Sequence, residues 1–143
     1  GDTDLLKATA AGQCDIALAN TYYLGRLKNS ESEKDRKASE NLLVFWPNQN
    51  EYERGAHVNV SGAGVTKYSK NIENAITLLE FLVTNESQKW YAEVNNEYPV
   101  VEGVDESSTL KEFGKFRADT LNLSKLGEMN GEAVKLMDRA GWR

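Results

Sequence analysis

Cys14–Leu27, CDIALANTYYLGRL, is the stretch from which the rest of the chain is read. Its apolar run Ile16-Ala17-Leu18-Ala19 is short and bounded, which predicts a buried strand. Asn20-Thr21 supply turn or helix-cap residues, and Tyr22-Tyr23-Leu24 begin a helical pattern. Two adjacent phenols therefore fall where a strand ends and a helix begins. In open α/β sheets ligands gather at that rim, because strand carboxyl ends and helix N-termini converge there. A phenol is a neutral donor at pH 7 unless a strong cation draws off its proton. A hard trivalent ion does so, and two phenolates would offset two charges of Fe³⁺. The alternative is that both rings pack on a neighbouring element and their hydroxyls meet water.

Working outward, the first residues predict a helix capped by Asp2 or Thr3, with Leu5, Leu6, Thr9 and Ala10 on one face and Gly12 just past its end. The charge run Glu31–Lys37, ESEKDRK, alternates in sign and reads as a solvated helix end or loop. Leu42-Leu43-Val44-Phe45-Trp46 predicts a second buried strand, stopped by Pro47. Val58-Asn59-Val60 and Val65-Thr66 are extended, and the glycines of Ser61-Gly62-Ala63-Gly64 fit a close backbone approach better than a phosphate loop, which would need a lysine and a following helix. Asn71 caps the best helical pattern, with Ile72, Ala75, Ile76, Leu79, Leu82 and Val83 on one face. Asn85 with Gln88, and Thr109 with Glu112, read as capping boxes. Trp90, Tyr91 and Val94 are expected in the core, as are Leu110, Phe113 and Phe116. A last helix is expected from Asn130, ended by Gly141.

The 143 residues and 40% hydrophobic content fit one domain with a core. A net charge of −5 argues against a nucleic-acid partner, which would call for clustered Lys and Arg. No segment approaches the about 18 apolar residues of a membrane span. The single cysteine, Cys14, makes no internal disulfide and is expected to be a buried thiol. The single histidine, His57, is expected at the surface or a strand edge and is not assigned as a ligand. No Ser/His/acid set is present to argue for, and Glu31/Glu33 and Asp105/Glu106 lie in linkers without an apolar pocket, so no enzyme is expected.

ANTYYLGRL resembles the tyrosine-pair segment of the bacterial ferric-iron-binding periplasmic proteins, the iron receptors of ABC importers. HVNVSGAGVTKYSKN (57–71), ENAITLLEFLVTNESQKWYAEVNNEYPV (73–100), FRADTLNLSKLG (116–127) and AVKLMDRAGW (133–142) resemble the same family in the same order. The resemblance implies an α/β fold, the C-terminal half of a bilobal type II periplasmic binding protein. It further implies that this chain is a fragment whose signal peptide would lie upstream. Residues 1–54 and 104–143 would belong to the C-terminal lobe, and 55–103 would form a crossover strand and helices of the N-terminal lobe. Tyr22 and Tyr23 match the pair that holds Fe³⁺, and Asn20 matches an asparagine able to hydrogen-bond a ligand or an accompanying anion such as carbonate, citrate or phosphate. An inner-membrane ABC permease is the implied partner and the periplasm the implied compartment. The glycine segment would lie near the hinge. A half-built sheet would expose edges that favour a homodimer or strand exchange. The competing readings are a receptor for another solute, such as an anion or a polyamine, and an enzyme on a doubly wound sheet.

Overall fold

The computed structural model describes residues 1–142. Among the described residues seven α-helices run in order: α1 Asp2–Ala10, α2 Thr21–Lys28, α3 Glu33–Glu40, α4 Ile72–Leu82, α5 Asn85–Trp90, α6 Ser108–Glu112 and α7 Ser124–Arg139. A π-helical turn, Tyr91–Asn95, continues α5 without a break. Contacts group the chain into two units, Gly1–Phe45 with Asn59–Lys115, and Trp46–Val58 with the chain from Phe116 onward. These boundaries differ from the 1–54, 55–103 and 104–143 that the resemblance implies.

The first unit is held by a small apolar centre. Leu6 of α1, Leu24 and Leu27 of α2, Ala92 of the π-turn, and Leu110 and Phe113 at α6 are all buried. α2 packs on α1, α3, α6 and the π-turn, so the tyrosine helix is the hub. The sequence places α2 correctly: Asn20 is its N-cap in extended conformation (φ −72°, ψ 140°), and Arg26 and Lys28 in the last turn suit the negative end of the helix. The charge run is itself helical. α3 carries Glu33 and Asp35 in its first turn and Lys37 in its last, and Lys37 pairs with Glu33 at 2.7 Å.

The expected strands do not form among the described residues. Residues 16–19, 43–45 and 58–65 form neither helix nor strand, and the one bridge is the isolated parallel pair Ala56–Ala118. The alternation survives without the ladder. Ala17, Ala19, Leu42 and Val44 are half-buried, whereas Ile16, Leu18, Leu43 and Phe45 point out, Leu43 being 95% exposed. Pairing is a non-local property that a strand cannot supply by itself. The α/β expectation is therefore not confirmed: the described residues form helices and irregular segments without a sheet. Cys14 is exposed rather than buried, because it precedes that outward-facing segment.

Other expectations shift by local physics. α4 forms as read from Asn71, yet no residue of it is buried, and Ile72, Ile76, Leu78 and Phe81 remain exposed. α5 is capped by Thr84, whose hydroxyl accepts from the Ser87 N–H at 3.3 Å, and not by Asn85. Trp90 and Val94 are exposed; the inward face is Gln88, Ala92 and Asn96, four residues apart. The Gln88 amide donates to the Leu82 carbonyl and accepts from the Val100 N–H, both at 2.8 Å, which ties α4 and the extended piece after Glu97 to α5. α6 is capped by the Ser107 hydroxyl and not by Thr109. α7 begins at Ser124, six residues before Asn130, and Gly141 follows it at φ 68° as expected.

In the second unit, Arg117 organises the polar turns of 47–56. Its guanidinium donates to the Asn48, Asn50 and Glu53 carbonyls, and its backbone N–H donates to Gln49 Oε1 at 2.7 Å. Trp46 stacks on Phe116 with centroids 4.0 Å apart. Partial burial pushes the Asp119 carboxyl up, but the Arg54 bond, the Leu121 N–H and the charges of Arg54 and His57 together bring it below its ordinary value. His57 is exposed, as its position implied.

Candidate metal site

Residues 16–19 lead to Asn20, whose carbonyl accepts the first-turn N–H of Tyr23 at 3.1 Å. Tyr22 and Tyr23 thus occupy the first turn of α2, where free backbone N–H groups and the positive end of the helix favour a negative oxygen. Their rings lie side by side with centroids 4.5 Å apart and planes inclined by 42°, and both are half-buried. Adjacent helical residues normally diverge by a large angle around the axis. The close ring contact brings their hydroxyls together on one rim instead.

Both acidic and cationic groups lie near the pair. The Tyr22 hydroxyl is held above its ordinary pKa by its hydrogen bond with Tyr23, then by partial burial, then by the charges of Tyr23, Asp2 and Glu97. Asp2 comes from α1, where its Oδ2 accepts the Asn20 backbone N–H at 3.5 Å. Glu97 arrives on the segment that follows the π-turn. Negative neighbours make a phenolate costly while the site holds only protons, and the same potential draws in a multivalent cation. The Arg26 guanidinium carbon lies 5.4 Å from the Tyr23 ring centroid, a cation–π contact.

The three residues singled out from sequence, Asn20, Tyr22 and Tyr23, are therefore together. The Asn20 side chain makes no capping bond, and its backbone binds Asp2 and Tyr23. Sequence reasoning missed Asp2, Glu97 and Arg26. Arg26 was legible, since it stands three residues after Tyr23 on the same helix. Glu97 and Asp2 had no spacing signal, because tertiary packing alone brings them near.

Two phenols are an incomplete donor set for Fe³⁺, which takes about six oxygen or nitrogen donors. Among the described residues no group of three or more His, Cys, Asp or Glu side chains is placed to hold a metal ion. A groove of about 550 Å³ between α1 and α3 lies away from the tyrosines; its Lys7 and Asp35 are paired at 2.7 Å. No helix among the described residues is long and apolar enough to cross a membrane.

Comparison with known proteins shows the family. The family model of the bacterial extracellular solute-binding proteins matches residues 1–118. Iron uptake protein A1 of Synechocystis is 46% identical over 142 residues, which covers 99% of this chain and 39% of that protein. A Trichodesmium protein (IdiA, FutA), solved in complex with iron and citrate ligands, superimposes with a TM-score of 0.93 at 52% identity, covering 100% of this chain and 45% of that one. The ferric binding protein of Campylobacter jejuni gives the same TM-score at 41% identity and the same two coverages. The chain thus spans about two-fifths of the length of the curated relatives it matches.

Proposed function

Because the chain belongs to the bacterial extracellular solute-binding proteins, we propose that it binds ferric iron through Tyr22 and Tyr23 in the periplasm and takes part in iron delivery to an ABC importer. The observation that carries this reading is the ring pair on the first turn of α2, half-exposed and flanked by the charges of Asp2 and Glu97. The importer's inner-membrane permease is the partner of this proposal, and 1–54, 55–103 and 104–143 are its lobe assignments.

Each phenol that binds the ion must surrender a proton. Asn20 stands one residue before the helix, with its side chain outside the cap, in a position to bond an anion that fills a remaining coordination site. Carbonate, citrate or phosphate would serve, and citrate accompanies iron in the Trichodesmium relative. The solute-binding relatives likewise support a receptor over a catalyst.

Proton release gives a direct test. Iron binding should liberate about two protons from the pair, so apparent affinity should fall as pH falls, by up to about 100-fold per pH unit well below the phenol pKa. Calorimetry with ferric citrate in buffers of different ionisation enthalpy measures the count. Release that is unchanged in a variant with both tyrosines replaced by Phe would refute the phenolate assignment.

The outward-facing extended segments carry a second expectation. Leu43 and Phe45, at 95% and 84% exposure, alternate along an unpaired strand-like edge, a ready template for another strand. We therefore assign the chain a tendency to dimerise or exchange strands. Sedimentation velocity should show concentration-dependent association that Leu43→Lys weakens; a monomer at all concentrations would contradict it.

A further inference from the structure

We infer that Asn96 is a positioning residue for the tyrosine pair, acting through a three-residue polar joint with Asn29 and Thr109; this rests on Tyr22 and Tyr23 being the iron ligands. Asn96 ends the π-turn in the left-handed region at φ 59°, and it is buried. Outside glycine that conformation is uncommon, and Asn tolerates it better than most residues. π-turns recur at functional sites because they re-aim the residues around them.

The joint links three elements. Asn29 closes α2, and its Nδ2 donates to Asn96 Oδ1 at 2.8 Å and to Thr109 Oγ1 at 3.1 Å. The Thr109 hydroxyl lies 3.3 Å from Asn29 Oδ1, to which it donates in return. One turn earlier, Asn96 sits against Gly25. A Cβ at position 25 would fall 2.5 Å from the Asn96 Cβ and 2.6 Å from its Cγ, so a side chain there has no room.

Tyr22, Gly25 and Asn29 recur at three and four residues, which puts them on one face of α2. The face pinned by Asn96 is thus the face that carries Tyr22. The residue that follows Asn96 is Glu97, whose charge acts on the Tyr22 hydroxyl. A single buried amide consequently sets the roll of the tyrosine helix and the approach of the carboxylate-bearing segment together. Loosening it lets Tyr22 rotate away from Tyr23 without removing any ligand.

Three variants test this: Asn96→Gly, which keeps the backbone conformation and deletes the amide; Gly25→Ala, which crowds the contact from the helix side; and the two combined. Each is loaded with ferric citrate and followed by its charge-transfer absorption and by iron loss to excess chelator, and each iron-free form is followed by the nuclear Overhauser contact between the Tyr22 and Tyr23 rings. The expected result is a shifted absorption band, iron loss about tenfold faster in each single variant, a weakened ring contact, and a combined effect smaller than the product of the two. A lowered melting temperature with unchanged band, release rate and ring contact would reduce Asn96 to a packing residue and overturn the inference. A colourless wild-type chain would instead sink the iron reading, and the ring contact in the iron-free variants would still decide the role of Asn96.

Discussion

Replacing both tyrosines, Tyr22→Phe with Tyr23→Phe, should abolish ferric iron binding at concentrations where the parent chain is saturated. Each single replacement should weaken it by about 100-fold or more. Phe keeps the ring and its packing, including the 4.5 Å ring contact, and removes only the oxygen. The effect is thus chemical and should leave the melting temperature nearly unchanged, since both rings are half-exposed. Loss of one charged oxygen next to a trivalent ion removes a strong electrostatic term and leaves solvent in its place. The two losses should be unequal. Tyr22 faces the Glu97 segment and shares the acidic neighbourhood, whereas Tyr23 is covered by Arg26. Competition titration against citrate measures both constants. Parent-like affinity in the double variant would mean that the iron, if bound, sits elsewhere.

The largest stability effect should come from Leu27→Ala or Leu110→Ala. These two are the largest side chains that are fully enclosed, at 2% and 0% exposure. Leu27 lies on α2 and Leu110 on α6, and α2 and α6 pack directly on one another. Removing either should cost about 2–5 kcal/mol, transfer and cavity terms together. With total stabilities of about 5–15 kcal/mol for natural domains, that is a large fraction of the whole. The control is Leu43→Ala, in an equally apolar run but 95% exposed, which should change stability by no more than about 0.5 kcal/mol. Urea unfolding followed by circular dichroism separates the two cases. A Leu27→Ala cost as small as that of Leu43→Ala would show that α2 is not the hub of its unit.

Much of this was legible in the chain because it is local. Asn20 before Thr21, the basic last turn of α2 and the periodic apolar residues of α4 are written within a few positions of one another. Caps slipped by one or two residues, at Thr84 and Ser107, because several Ser, Thr and Asn neighbours compete for the same N–H groups. The long apolar runs predicted strands that do not form, although the alternating exposure of 42–45 keeps the period of one. Their burial was not legible, since it depends on what pairs with them. The polar face of α5 and its π-turn reversed the expected core, with Gln88 and Asn96 inside and Trp90 outside, and no hydrophobicity pattern announces a buried amide. At the site, the ring pair stands in two adjacent letters, but the ligand role proposed for it comes from the family resemblance and not from the spacing. Asp2 and Glu97, 18 and more residues away in sequence, became neighbours only through the packing of α1 and the π-turn on α2.

The central claim is that two adjacent phenols lose their protons to ferric iron. Visible absorption during titration with ferric citrate tests it most directly. An orange-red phenolate-to-iron band should rise to saturation, bleach with excess chelator, and be absent from the Tyr22→Phe, Tyr23→Phe chain. A chain that retains iron through gel filtration yet stays colourless, or a double variant with the full band, would contradict it.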